Sequence, residues 1–284
     1  MKLIVISGRS GSGKSTALRA LEDSGYNCID NFPVDLLPHL IANATRAVEP
    51  QPDLAVCIDA RNPDLEAFPQ IIESLRSPSV DCEVIFLDAQ SATLVKRFSE
   101  TRRRHPLTGT GKDLLQAIES EDAILQPIAG LADLSIDTTT MRGSALTELV
   151  RSRIAHKRSH SLSLLFRSFG FKFGVPVDAD FVFDIRCLPN PYWDESLRPL
   201  TGKDGAVASF LEAEAAVGQM FSDIRSFLER WIAAFEKDNR AYMNIALGCT
   251  GGQHRSVYMA EKLAAHFSAQ RPNVLVRHRE LAGS

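Results

Sequence analysis

Long apolar runs are missing from this 284-residue chain. The longest, such as residues 3–6 and 84–87, fall far short of the ~20 residues that cross a bilayer, so no membrane span is expected. A secretory leader is missing too. The opening Met-Lys-Leu-Ile-Val-Ile-Ser-Gly has no extended apolar core and no small-residue cleavage site, which implies a cytoplasmic protein. Cysteine is scarce: Cys28, Cys57, Cys82, Cys187 and Cys249 form no close pairs and four sit inside apolar runs. Reduced, buried thiols are expected, with neither a disulfide nor a zinc site. A charge of one dominant sign is also lacking. Lys plus Arg number 32 against 35 Asp plus Glu, a net charge of −3, so a polyanionic partner must be met by local groups. Internal repeats and low-complexity tracts are absent. The composition that remains, 44% hydrophobic and 24% charged, is that of a globular chain long enough for two medium domains.

From residue 3 to about 156, short apolar runs alternate with longer amphipathic stretches, the pattern of a parallel sheet covered by helices. Candidate strands are residues 3–7, 26–30, 54–59, 83–88 and 134–137, and a helix is expected over 14–23. Four of these strands end in Asp (Asp30, Asp59, Asp88 and Asp137), and ligands of open α/β sheets collect at strand carboxyl ends. Asp30 and Asp137 read equally well as helix caps or turn residues. The basic, polar stretch 151–160 marks a change of grammar, giving domains 1–156 and 157–284. The second opens with residues 162–174 and continues through a strand over 181–185 and a loop with Pro189, Pro191, Pro199 and Gly202. Val217, Met220, Phe221, Ile224, Phe227, Leu228 and Trp231 then recur every three or four residues, an aromatic stripe read as core. A strand (244–248), a glycine loop (250–252), a helix to about 269 and a strand (273–277) complete the chain. The fold class is α/β: an amino-terminal P-loop kinase-like parallel sheet with helices on both faces, plus a second, smaller α/β domain.

Gly8-Arg9-Ser10-Gly11-Ser12-Gly13-Lys14-Ser15 fits G-x-x-x-x-G-K-[ST] between an apolar strand and an amphipathic helix. Its glycines let backbone N–H groups turn toward an anion, the helix N-terminus adds positive field, and Lys14 reaches the β- and γ-phosphates. The implied ligand is a nucleoside triphosphate, ATP or GTP. Ser15 offers its hydroxyl to Mg²⁺, and Asp59 is the preferred carboxylate for supporting the metal, with Asp88 as its rival. Lys14 and Asp59 are therefore the candidate catalytic residues. Ala60, Arg61 and Asn62 follow at the same strand end and extend the nucleotide site. Lys96, Arg97, Arg102, Arg103, Arg104 and His105 read either as a phosphate-facing lid or as a solvated helix face.

A second loop, Gly248-Cys249-Thr250-Gly251-Gly252-Gln253-His254-Arg255-Ser256, also joins an apolar strand to a helix. It has the makings of an anion nest, with Arg255 placed to hold an oxyanion. Cys249, Thr250, Gly251, Gly252, His254 and Arg255 are candidate substrate contacts. The loop fits Cys-x5-Arg-Ser, used by cysteine phosphatases, although no general-acid Asp is assignable from sequence. Three readings stay open here: a phosphorylated small molecule, a structural turn, or thiol catalysis. Cys187 and Cys249 flank apolar strands and read as packing residues. Lys172 and Asp184, in apolar surroundings, are further candidate contacts.

The motifs at residues 7–15, 28–33, 58–62, 101–107, 168–172, 188–191 and 248–256 together resemble the RapZ/YvcJ family of bacterial nucleotide-binding proteins across essentially the whole chain. The Phe-Gly-Phe-Lys and Cys-Thr-Gly-Gly segments are the distinctive ones. The resemblance implies ATP and GTP binding with weak hydrolysis by the first domain. It implies a second domain that senses glucosamine-6-phosphate and, in some members, binds small RNA and presents it to an endoribonuclease, in a homo-oligomer. RNA-presenting members end in a lysine-rich tail and tend to carry histidine where this chain has Phe173 and Tyr192; here the chain ends Arg279-Glu280-Leu281-Ala282-Gly283-Ser284. Basic groups for RNA are Arg151, Arg153, Lys157 and Arg158, and again Arg271, Arg277 and Arg279. The rival readings are a kinase acting on a sugar phosphate and a phosphatase using Cys249.

Overall fold

The computed structural model describes residues 1–46, 52–77, 79–101, 104–108, 113–155, 162–238 and 240–281. The chain divides into two compact units, Met1–His156 and Lys157–Ser284. The first is built on five parallel strands, β1 (Lys2–Gly8), β2 (Asn27–Ile29), β3 (Leu54–Cys57), β4 (Asp81–Asp88) and β5 (Leu134–Asp137), in the order β2-β3-β1-β4-β5. The run Leu3 to Ile6 is buried on both sides, as a central parallel strand requires. Its helices are α1 (Lys14–Glu22), α2 (Leu37–Arg46), α3 (Phe68–Leu75), α4 (Ser91–Thr101), α5 (Leu114–Ala129) and α6 (Gly143–Val150). Leu3 and Val5 pack with Leu37 and Ile41 of α2, Phe68 and Ile72 of α3, and Leu125 and Ile128 of α5. α1 and α6 pack together, and α1 lies against β1, β2 and β3. α5 is set at its start by a reciprocal cap: the Asp113 carboxylate accepts from Gln116 N–H at 2.8 Å and Gln116 Oε1 accepts from Asp113 N–H at 3.2 Å.

Strand ends differ from expectation by one or two residues, and one difference bears on the site. β3 stops at Cys57 rather than at 59. Ile58 still donates its N–H to Ile6 O at 2.9 Å, but Asp59 leaves the sheet because its carbonyl accepts from Asn62 N–H and its carboxylate from Arg61 N–H. That turn, driven by the short Asp side chain, keeps Asp59 just beyond the carboxyl end of β3.

The second unit is a four-stranded parallel sheet of β6 (Ser163–Gly170), β7 (Phe181–Asp184), β8 (Tyr242–Cys249) and β9 (Val274–His278), ordered β7-β8-β6-β9. Its helices are α7 (Gly205–Glu212), α8 (Ala215–Lys237) and α9 (Arg255–Ser268). The α8 stripe is only partly core. Val217, Ile224, Leu228 and Ile232 are buried, whereas Phe227 and Trp231 are 37% and 46% exposed. The stripe is wider than the surface beneath it, so Phe227 stands edge-on over Phe181 and Phe183 of the edge strand β7, at 5.2 and 5.8 Å. The cysteines also divide: Cys57, Cys82 and Cys249 are buried, Cys28 is half-buried, and Cys187 is exposed, because the chain has left β7 for an open loop. Burial pushes the Cys57 and Cys82 thiols up to about 12. No helix among the described residues is long and apolar enough to cross a membrane.

Candidate functional site

In the first unit the loop Gly8 to Gly13 leaves the carboxyl end of the central strand and delivers Lys14 and Ser15 as the first residues of α1. Gly8 has φ +140°, and a Cβ there would lie 1.9 Å from the Leu87 carbonyl oxygen, so only glycine lets β1 and β4 approach this closely. The Lys14 ammonium donates across the loop to Gly8 O at 2.6 Å. Ser15 is exposed and Ser12 is fully buried, its hydroxyl without a hydrogen-bond partner.

Two flanking groups lock the loop. Arg9 turns away from the loop mouth: its guanidinium donates to both Asp88 carboxylate oxygens (2.7 and 3.1 Å), to Ser91 Oγ and to Ala89 O. Arg9 thus contributes backbone to the loop, and Asp88 is committed to it. The other group was not legible in the sequence. Glu121 of α5, fully buried, accepts from Ser10 N–H and Ser10 Oγ–H, both at 2.7 Å, and pairs with buried His105 at 3.0 Å. Leu107 N–H donates to His105 Nδ1, which leaves Nε2 as the ring's donor toward Glu121.

Asp59 sits beside this loop, buried. Burial pushes its carboxyl upward, but hydrogen bonds from the Arg61 side chain and backbone, with Lys14 nearby, outweigh that and hold it below the usual range. The Arg61 guanidinium is bidentate on it, at 2.5 to 3.1 Å. Ala60 is buried. Asn62 is a brace: its amide donates to Phe32 O and accepts from Val34 N–H, fixing the turn around Asn31, which has φ +49°. Of the expected lid cations, Arg97 meets the loop, donating to Gly11 O at 2.9 Å and to Thr138. Lys96 faces solvent with Glu100, and Arg104 is exposed. Arg102 and Arg103 lie outside the described residues. Among the described residues no cluster of three or more His, Cys, Asp or Glu could hold a metal ion. Ser15 and Asp59 are hard oxygen donors, the type that complements a phosphate-bound Mg²⁺.

In the second unit the loop from Cys249, last residue of β8, to Arg255, first residue of α9, is closed around the thiol. Gly252 N–H donates to Cys249 Sγ at 3.2 Å, and Ser256 Oγ lies 3.1 Å from it. Gly252 has φ +75°, and a Cβ there would lie 2.4 Å from Glu280 Oε2. Arg255 is buried and donates to Arg186 O, Leu188 O and Thr250 Oγ1, while its Nε and the Nε2 of buried His254 have no partner. Thr250 is exposed at the loop rim.

Lys172 and Asp184 border this loop, but neither is in the apolar setting their neighbours suggested. Lys172 N–H donates to Thr250 O at 3.3 Å, while its exposed ammonium lies over the Phe173 ring. Asp184, in register with Gly248, is half-exposed and bidentate with Arg186, which stacks on Phe171 at 3.9 Å. Chiefly the Arg186 hydrogen bond holds the Asp184 carboxyl below its usual range. Glu280, missed by sequence reading, accepts from Gly170 N–H at 3.1 Å and from Arg279 at 2.6 Å. The expected RNA-facing basic groups are largely engaged within the chain. Arg151 pairs with Asp23, Arg153 is buried, Arg271 pairs with Glu236, and Arg279 holds Glu280, Gly170 O and Gly174 O. Lys157 and Arg158 lie outside the described residues.

Residues 1–158 match the RapZ-like N-terminal domain and residues 162–282 the RapZ C-terminal domain. Similar chains include a "nucleotide-binding protein" of Pseudomonas fluorescens (strain SBW25), 52% identical over 99% of this chain and 100% of its own length. One of Hahella chejuensis is also 52% identical, with the same coverage. One of Methylobacillus flagellatus is 51% identical over 99% of both chains. Two domain matches in the family's order and full-length identity above half establish that this chain belongs to the RapZ family.

Proposed function

We propose that the first unit binds a nucleoside triphosphate, ATP or GTP, with Mg²⁺ and hydrolyses it slowly, and that the second unit binds a sugar phosphate, glucosamine-6-phosphate in the first instance. The observation that carries the first part is the Gly8–Ser15 loop at the carboxyl end of the central strand, with Lys14 opening α1 and Asp59 beside it. The names of the similar chains support it as well.

Within that site Lys14 would neutralise the β- and γ-phosphates and Ser15 and Asp59 would hold Mg²⁺, which when bound offsets charge on the phosphates. Arg97 fixes Gly11 and so keeps the loop's amides aligned. An Asp59 already neutralised by Arg61 is a weak metal ligand, which favours slow hydrolysis over efficient transfer and hence a regulator over a metabolic kinase. Incubation with labelled triphosphate tests this: free phosphate is expected, and a phosphorylated sugar would establish the kinase instead.

For the second unit, the unpartnered Arg255 Nε and His254 Nε2, in a glycine loop that opens a helix, suit a phosphate monoester. Calorimetry with glucosamine-6-phosphate is the direct measurement; no heat removes this site. One further observation favours RNA. Phe173, Tyr192 and Trp193 are exposed, Lys172 lies over Phe173 and Arg198 over Tyr192, a combination that stacks unpaired bases. Presentation of the bound RNA to an endoribonuclease by a homo-oligomer in the cytoplasm completes the proposed role. Gel shifts at two salt concentrations decide the RNA part: Trp193→Ala is expected to weaken binding, and no binding at low salt discards it.

A further inference from the structure

The Cys249 loop has more than an anion nest requires. Its sequence is Cys-x-x-Gly-x-x-Arg-Ser, with Cys249 ending a buried parallel strand, Gly252 at φ +75° and Arg255 opening the following helix. A loop that only bound phosphate would gain nothing from a sulfur at its centre. Here the sulfur is the atom the loop is organised around: Gly252 N–H donates to it at 3.2 Å and Ser256 Oγ, fully buried, stands 3.1 Å away. Gly252 N–H is positioned to donate to the sulfur as it departs from phosphorus, and Ser256 Oγ lies within hydrogen-bond reach of it. A second, independent observation points to an oxyanion in the same loop. Arg255 and His254 are 5% and 6% exposed, yet Arg255 Nε and His254 Nε2 have no partner, a cost that a bound phosphoryl group would relieve.

We propose that Cys249 is a nucleophile that accepts a phosphoryl group from a phosphate monoester, making the second unit a slow thiol phosphatase. The proposal rests on the phosphate-binding reading of this loop. The sulfur forms a bond to phosphorus as the bond from phosphorus to the ester oxygen breaks. The thiol proton passes to the phosphate dianion and leaves with the ester oxygen, giving the free alcohol and phosphocysteine. Water then attacks phosphorus, the sulfur leaves, and inorganic phosphate and the thiol are restored. No oxidant, metal or other co-reactant is needed.

The site also says which esters react. Among the described residues two carboxyls border the loop, and both are engaged as acceptors: Asp184 by Arg186, and Glu280 by Arg279 on one oxygen and Gly170 N–H on the other, so neither is placed to protonate a poor leaving group. Aryl phosphates, whose leaving groups need little protonation, turn over; a sugar 6-phosphate, with an alkoxide to expel, is bound and largely spared. That is the behaviour a sensor of sugar phosphate needs.

The test uses the full chain and p-nitrophenyl phosphate, following nitrophenol release and, after an acid quench, a phosphoryl adduct on the peptide containing Cys249. Release is expected to fall at least about a hundredfold in Cys249→Ser and the adduct to disappear, while triphosphate hydrolysis by the first unit, which reports that the variant is folded, is unchanged. Arg255→Lys, which keeps the charge but loses the bidentate fork, should lower turnover without removing the adduct. Undiminished release by Cys249→Ser, or an adduct on another residue, overturns the proposal. Binding without any release or adduct in the wild type overturns the nucleophile and leaves the binding site standing. Absence of both binding and release overturns the two together.

Discussion

The two units carry the same backbone device and put different chemistry on it. In the first, a strand ends at Gly8, and Lys14 and Ser15 open a helix; in the second, a strand ends at Cys249, and Arg255 and Ser256 open a helix at the same spacing. Both loops are pinned from outside by a carboxylate on a backbone amide, Glu121 on Ser10 and Glu280 on Gly170, the latter packed against Gly252. The difference lies at the strand end. Glycine there leaves room for β1 and β4 to close up and gives a cradle whose only reactive contribution is charge. Cysteine there places a sulfur at the focus of the cradle, with the second helical serine buried against it where Ser15 is open to solvent. A strand-loop-helix anion nest is therefore generic, and its chemistry is decided by three side chains: strand end, first helical residue and second helical residue.

The two units should separate most sharply at the first helical cation. Lys14→Ala should abolish triphosphate hydrolysis and weaken triphosphate binding by about 2 kcal/mol, close to thirtyfold, because a charge-assisted phosphate contact is lost. Arg255→Ala should cost sugar-phosphate affinity by a similar amount in the other unit and leave triphosphate hydrolysis untouched. Calorimetry on both variants checks this, and near-normal ATP turnover by Lys14→Ala removes the first site.

Next come the braces. Glu121→Gln replaces an acceptor of three hydrogen bonds with an amide whose N–H₂ faces donors. It should lower stability by about 2 kcal/mol and raise the KM for triphosphate, with Glu121→Ala worse in both. Chemical denaturation and steady-state kinetics measure the two effects separately. Glu280→Gln, whose carboxylate meets fewer donors, should cost less.

These braces mark the limit of what sequence could say. The strands were legible because fully buried parallel strands read as short apolar runs, and the Gly8–Ser15 loop because its spacing is its mechanism. Arg9 looked like a ligand contact by its place in that loop, yet its partner, Asp88, lies 79 residues away. Glu121 lies 111 residues from Ser10 and Glu280 110 from Gly170, and nothing local distinguishes either from a surface glutamate. The exposed Phe227 and Trp231 were hidden for a different reason: helical periodicity gives the direction of an apolar face but not the width of the surface it meets.

A smaller effect separates metal from nucleotide. Asp59→Asn should slow Mg²⁺-dependent hydrolysis about tenfold while changing nucleotide affinity less than about threefold, because the metal acts mainly on the transition state. It also frees Arg61 from its bidentate partner. If Asp88→Asn has this kinetic signature instead, the metal carboxylate is the one bound by Arg9. Asp88→Asn is expected to act on stability, by loosening Arg9 from β4.

The smallest effect contrasts the acid responses of the two units. In the first, the Asp59 carboxyl is held below its usual range, so the stability it contributes is present above the ordinary Asp value of about 3.9 and is lost as pH falls through its lower folded value. In the second, burial raises the Glu280 carboxyl despite Arg279 and the Gly170 amide. The folded chain then holds that proton more tightly than the unfolded chain. Its contribution is complete below the ordinary Glu value of about 4.3 and is lost as pH rises through the folded value. On acidification from neutral pH, Glu280 should thus add stability before Asp59 begins to remove it. The expected reading is an unfolding midpoint in wild type that rises relative to Glu280→Gln as pH falls from neutral toward the ordinary Glu value of about 4.3. A constant difference between the two proteins across that range would mean that the Glu280 carboxyl titrates as it does in the unfolded chain, and that its hold on Gly170 matches its desolvation.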